Sequence, residues 1–148
     1  MIHLDTNAAI ALLNGRPRQV RERFDEARNA GTPLGLSIIV YHELMYGAAA
    51  SERRHANEEK IALFIAASGI SLIDFNEGDA EEAADIRAHL RRQGTPIGPY
   101  DVLIAAQARR AGTVLVTANT GEFTRVPGLQ VLDWASPLAA GTHEIGNG

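Results

Sequence analysis

Short apolar runs alternate along the chain with longer stretches in which apolar residues recur every three or four positions. The runs at 2–4, 34–37, 70–73, 114–116 and 129–132 are too short for helices and rich in Ile, Leu and Val, and they read as strands. Between them the period is helical. Ala8, Ala9, Leu12 and Leu13 share one face, and Gly15 closes that helix; Pro17 opens the next, whose inner face carries Val20, Phe24 and Ala27 before Gly31 ends it. A helix bearing Glu43 runs to about position 50, and another spans about 58–67 before Gly69. Asp79 and Glu82, three residues apart, predict the capped start of a helix that turns Ala83, Ile86 and Leu90 inward and ends on Arg91, Arg92 and Gly94. Pro99 suits the first position of a last long helix, which stops near Gly112; the segment 117–128 is turn-rich.

Strands alternating with helices predict an α/β fold of three layers, α/β/α, around a central, mostly parallel sheet of four to five strands. No repeat or second domain interrupts the pattern. One domain is expected over 1–134, with a flexible tail rich in Ala, Gly, Pro and Ser over 135–148.

Three carboxylates break this pattern. Asp5 ends the first apolar run. Glu43 lies on an apolar stripe, with Ile39 four residues before and Gly47 four after. Asp101 begins a stripe continued by Ile104, Ala105 and Ala108. An inward charge is costly unless a positive group meets it, and no Lys or Arg shares these local patterns. A divalent cation held by acids from distant parts of the chain explains all three. Mg²⁺ and Mn²⁺ take oxygen ligands, and a pair of such ions about 4 Å apart can activate water against a phosphodiester. In a parallel sheet, the strand C-termini and the helix N-termini that follow them share one ligand-binding edge; Asp101 reaches that edge only if the loop before its helix returns there. Each acid also has a plainer reading. Asp5 can cap the helix after it, Asp101 can complement a helix dipole, and Glu122 can be a solvated charge, whereas neither cap nor dipole asks for an acid at Glu43.

Composition narrows the function without fixing it. The 148 residues include no cysteine, which excludes disulfides and thiolate metal sites. A net charge of −4 argues against a protein that coats nucleic acid by charge alone, yet leaves a nuclease open, because acidic site residues lower the total. No run approaches the ~20 apolar residues of a membrane span; with no signal-like start, the chain reads as cytoplasmic. Lys60 is the only lysine. Arg16, Arg18, Arg21 and Arg23, and likewise Arg53 and Arg54, form basic clusters that are either solvated helix faces or guides for RNA. His3 reads as a hydrogen-bonded core residue, and one of Met45 and Tyr46 as core.

Six segments in order then resemble a known family: Leu4-Asp5-Thr6-Asn7, Glu43-Leu44-Met45-Tyr46-Gly47, Ile97 to Ala106, Val116-Thr117-Ala118-Asn119-Thr120-Gly121-Glu122-Phe123, Arg125 to Leu129, and Asp133-Trp134. Together they look like PIN-domain toxins of the VapC type, over about residues 1–134. The resemblance implies a Mg²⁺- or Mn²⁺-dependent endoribonuclease, a cognate VapB-type antitoxin, a homodimer and a toxin–antitoxin hetero-oligomer. It maps Asp5, Glu43 and Asp101 onto metal ligands. The fourth acidic position is Asn119 here, with Glu122 three residues on. Thr6 and Thr117 match positions near the metal, where a hydroxyl can orient water or phosphate. Val40 stands where relatives often carry Thr, which removes a possible cap for the Glu43 helix. Two other functions compete. A metal-dependent phosphatase would want an Asp two residues after Asp5, where Asn7 stands; a non-catalytic binding module would need no site acids.

Overall fold

A computed structural model describes residues 1–136. The expected tail therefore lies outside the described residues, apart from Ala135, which packs on the core, and Ser136. The elements run β1 (Ile2–Leu4), α1 (Thr6–Asn14), α2 (Arg18–Asn29), β2 (Leu34–Ser37), α3 (Ile38–Ala50), α4 (Arg54–Ser68), β3 (Ser71–Ile73), α5 (Glu77–Arg92), α6 (Pro99–Ala111), β4 (Val114–Val116), α7 (Thr120–Phe123) and β5 (Gln130–Leu132).

The sheet has the order β3-β2-β1-β4-β5, and every pairing is parallel rather than most of them. Parallel neighbours need crossovers, and in folded proteins such crossovers are right-handed almost without exception. The crossovers through α1–α2 and α3–α4 step outward from β1 to β3. The crossover through α5–α6 steps back to β4, so it covers the opposite face. Packing follows this division: α1 contacts α2, α3 and α4, while α5 lies along α6. With helices on both faces the central strands are shut from water. All of β2 is buried, and Leu4, Leu36 and Leu115 have no exposure.

Register decides what meets at the carboxyl edge. Leu4 pairs with Leu36 on one side and Val116 on the other, and Val116 pairs with Leu132. The residues that follow these four are Asp5, Ser37, Thr117 and Asp133. They stand in a row along one edge of the sheet.

Local chemistry corrects several expectations. Asp79 does not cap α5. Asn76 does, in a capping box where its side chain accepts from the Asp79 backbone and Asp79 accepts from that of Asn76. Glu82 instead takes an ion pair from Arg109 at 2.6 Å. Val40 costs α3 no cap, because the helix begins earlier, with Ser37 accepting from the Ile39 backbone, and Val40 is core. Helix α4 starts at Arg54 rather than near 58, the turn-rich stretch 117–128 holds α7, and β3 and β5 each begin one residue late.

His3 is buried at 2 % exposure, but among the described residues its Nε2 has no hydrogen-bond partner, contrary to expectation. The ring lies over Gly35 of the neighbouring strand, where a Cβ would come within 2.7 Å of His3 Cδ2. Burial holds its pKa below the ordinary value, and the nearby amino terminus adds to this; Asp79 opposes both.

Candidate active site

Asp5 is the most buried of the site acids. Its backbone N–H donates to the Val116 carbonyl, and its carboxylate Oδ1 accepts from the Ala8 N–H at 2.8 Å. It is thus the N-cap of α1, as the plainer reading held, and it faces the other acids from that position. Burial pushes its pKa above the usual carboxylate range. The Thr117 hydroxyl and the Ala8 N–H oppose that shift, while Glu43 and Asp133 reinforce it.

Glu43, half-buried on the second turn of α3, accepts a 2.7 Å hydrogen bond at Oε1 from the Thr6 hydroxyl. That bond ties the start of α1 to α3. Asp101 lies in the first turn of α6, reached because the segment 93–98 returns the chain to this edge. Its side chain folds toward Gly98, where a Cβ would stand 3.2 Å from Oδ2. Its pKa is raised to about 6, by burial first and then by Glu43, Glu122 and Asp5. One field therefore joins four acids from four segments of the chain.

The fourth corner is a short relay. The Thr117 oxygen accepts from the Asn119 backbone N–H at 2.9 Å, and the Asn119 amide donates to Glu122 Oε2 at 2.9 Å. Asn119 thereby holds Glu122 in place from the start of α7. Asp133 was legible only as part of a motif, although its place after β5 repeats the place of Asp5 after β1. A search for acids immediately after each strand would have found it.

Among the described residues, no Lys or Arg forms an ion pair with Asp5, Glu43, Asp101 or Glu122. Nor do three His, Asp or Glu side chains among them close on a common point as a finished metal cage. The donor set still has the chemistry of a hard divalent cation: carboxylate oxygens, partly desolvated, mutually repelling and without a counter-charge.

The basic candidates divide. Arg16, Arg18, Arg53 and Arg54 are all exposed. Arg18 is paired with Glu22 at 2.8 Å and Arg54 with Glu58 at 2.6 Å, whereas Arg16 and Arg53 form no ion pair among the described residues. Tyr46 is exposed and Met45 packs on the core, which resolves that pair.

An all-parallel α/β sandwich with a cluster of acids at the carboxyl edge of its sheet is the architecture of a PIN domain. The PIN domain profile matches residues 2–129. The tRNA(fMet)-specific endonuclease VapC of Shigella flexneri is 42 % identical over 132 residues, covering 89 % of this chain and 96 % of that one. The crystal structure of DNA-bound VapBC from Salmonella typhimurium matches with a TM-score of 0.81 at 38 % identity, over 90 % of this chain and 97 % of the matched chain. VapBC2 from Rickettsia felis, bound to a DNA fragment from its promoter, matches with a TM-score of 0.83 at 31 % identity, over 90 % and 99 %. The chain belongs to the PIN-domain family, among the VapC ribonucleases.

Proposed function

We propose that this chain is the toxin of a toxin–antitoxin pair, an endoribonuclease that hydrolyses RNA phosphodiester bonds with Mg²⁺ or Mn²⁺. PIN-domain VapC nucleases are metal-dependent in general. In this reading Asp5, Glu43 and Asp101 hold the ion, and Glu122, steadied by Asn119, completes the acidic face. A bound divalent ion supplies Lewis acidity toward the phosphodiester and lowers the pKa of an attacking water. The chain's own part is positioning. The backbone fixes Asp5 through the α1 cap, Thr6 orients Glu43, and Gly98 leaves room for the Asp101 carboxylate. Thr117 touches both Asp5 and Asn119, and so couples the two halves of the site. Hydrolysis by water leaves a 5′-phosphate and a 3′-hydroxyl.

The observation that carries this reading is the gathering of Asp101 with Glu43, Glu122 and Asp5, a half-buried carboxyl raised to about 6 by burial and these three acids, with no Lys or Arg paired to it among the described residues. The relative's specificity makes initiator tRNA the first substrate to test.

The partner is a VapB-type antitoxin. An apolar groove of about 190 Å³, lined by Ile10, Leu13, Leu44, Ala48 and Ile61, runs to Glu43 and has Lys60 on its rim. An antitoxin segment seated there would cover the site. A homodimer is part of the same reading, as is a cytoplasmic location, where such RNA is found. Among the described residues, no helix is long and apolar enough to cross a membrane.

The test is cleavage of total RNA and of initiator tRNA by the purified chain in Mg²⁺ or Mn²⁺, beside EDTA and Asp101→Asn. Cleavage that disappears in both controls is the expected result. No cleavage by folded, metal-binding protein free of antitoxin would overturn the ribonuclease reading.

A further inference from the structure

Two exposed aromatic side chains neighbour two of the acids in sequence. His42 precedes Glu43 on α3, and Tyr100 precedes Asp101 on α6. Their rings meet across the gap between the helices, with centroids 5.7 Å apart and planes tilted by 55°. Tyr100 is 47 % exposed, and Tyr46, one turn beyond His42 on the same face of α3, is 67 % exposed. None of the three rings belongs to the core. The two helices whose acids face each other thus also present an aromatic shelf at their solvent edge. The rings meet where α3 packs on α6, the two helices that carry Glu43 and Asp101.

We infer that His42 and Tyr100 form a stacking platform for an unpaired nucleobase next to the phosphate being cut. The inference rests on the ribonuclease reading and adds how the RNA strand is held. Proteins grip single-stranded RNA by stacking unpaired bases on aromatic side chains, while charge tracks the backbone. Here net charge is negative and no Lys or Arg is paired with the site acids among the described residues, so the chain's own side chains attract the phosphates near the cut only weakly. Stacking supplies binding that does not depend on charge. It also selects strands whose bases are free to leave their own stack, because a base held in a duplex cannot reach the platform. Tyr46 extends the same face and would meet the next base. These are positioning residues, since they touch the substrate's base and not the reacting atoms.

The experiment pairs kinetics with a binding signal that needs no cleavage. A short oligouridylate carrying one 2-aminopurine is titrated with the full chain in EDTA, and its fluorescence reports stacking. For Tyr100→Ala and His42→Ala, affinity for the oligonucleotide falls about 5- to 150-fold, the range of one lost base–aromatic stack. KM for initiator tRNA rises by a similar factor while kcat stays within about twofold. Tyr100→Phe and His42→Tyr, which keep a ring, restore both. Light scattering is run on each variant. Unchanged fluorescence titration and KM in the double alanine variant would overturn the proposal. So would equal loss in Tyr100→Phe, or a change in oligomeric mass that accounts for the loss, which would make the shelf a contact between copies of the chain. A wild-type chain that quenches the probe in EDTA but cuts no RNA would sink the nuclease reading and leave the stacking surface standing.

Discussion

At the scale of single residues, Asp5, Glu43, Asp101 and Glu122 are charges brought together with no Lys or Arg paired to them among the described residues. Asp101 shows the sign most plainly. Its pKa rises from 3.8 to about 6 on folding, so the folded chain binds that proton more tightly than the unfolded chain does. The stability this confers is fully present below about pH 4 and is lost as pH rises through 6. A shift of this size is worth at most about 3 kcal/mol, and partial exposure reduces it to about 1–2 kcal/mol through solvent screening. Asp101→Asn without metal is therefore expected to raise the melting temperature at pH 7 by a few degrees and to flatten the decline between pH 4 and 6. Thermal scans in EDTA across that range check it; equal slopes in both proteins would deny Asp101 its burden. A second residue-scale expectation concerns Gly35. Its backbone is ordinary, but the His3 ring occupies the space a side chain needs. Gly35→Ala should cost about 1–3 kcal/mol in urea unfolding, because the ring lies in a closed core between strands and cannot step aside. Wild-type stability in that variant would mean the ring has room to move.

At the scale of elements, most of the fold was legible because each boundary is local chemistry. Pro99 at the first turn of α6, and Gly15, Gly69 and Gly112 after α1, α4 and α6, sit where backbone geometry demands them. The start of α5 was misread for the same local reason. Asp79 and Glu82 have the spacing of a capping box, but Asn76 and Asp79 have it too, and only the tertiary structure chooses. Arg109 draws Glu82 away, and Arg110 draws Asp79 and Asn76 together at 3.2 and 3.0 Å. The two readings separate by mutation. Asn76→Ala should cost about 1 kcal/mol of stability, and Glu82→Ala, which breaks one partly exposed ion pair, less than that. Chemical denaturation of both variants decides; the reverse order would restore the cap to Asp79. Asp5, Glu43 and Asp101, which the fold brings into one field, stood out in the sequence by their misplacement beside apolar positions. The His42–Tyr100 contact was not legible, because the spacing between helices arises only once the sheet is built.

For the molecule as a whole, the acids do what no single helix or strand can do. Asp5 follows the central strand, Glu43 belongs to the layer of α1–α4, and Asp101 to the layer of α5–α6. An ion bound by all three would join both helical layers to the sheet, and its binding energy would count toward folding. Mn²⁺ at a hundred times its Kd should stabilise the native chain by about 2.7 kcal/mol, and hydrogen exchange should slow at the first turn of α6 and around Glu43. Protons compete for the same oxygens. The stabilisation should therefore shrink as pH falls below about 6, where Asp101 takes up its proton. Asp101→Asn should lose most of the effect. Glu122→Gln and Asp133→Asn then say how far the site extends: a reduced effect in the first places the edge at α7, in the second at β5. Melting curves with and without Mn²⁺, at pH 5 and pH 7.5, test the whole scheme. Undiminished stabilisation in Asp101→Asn would remove α6 from the site. The ion would then bind the sheet and one layer only, and the acid on α6 would need another cause.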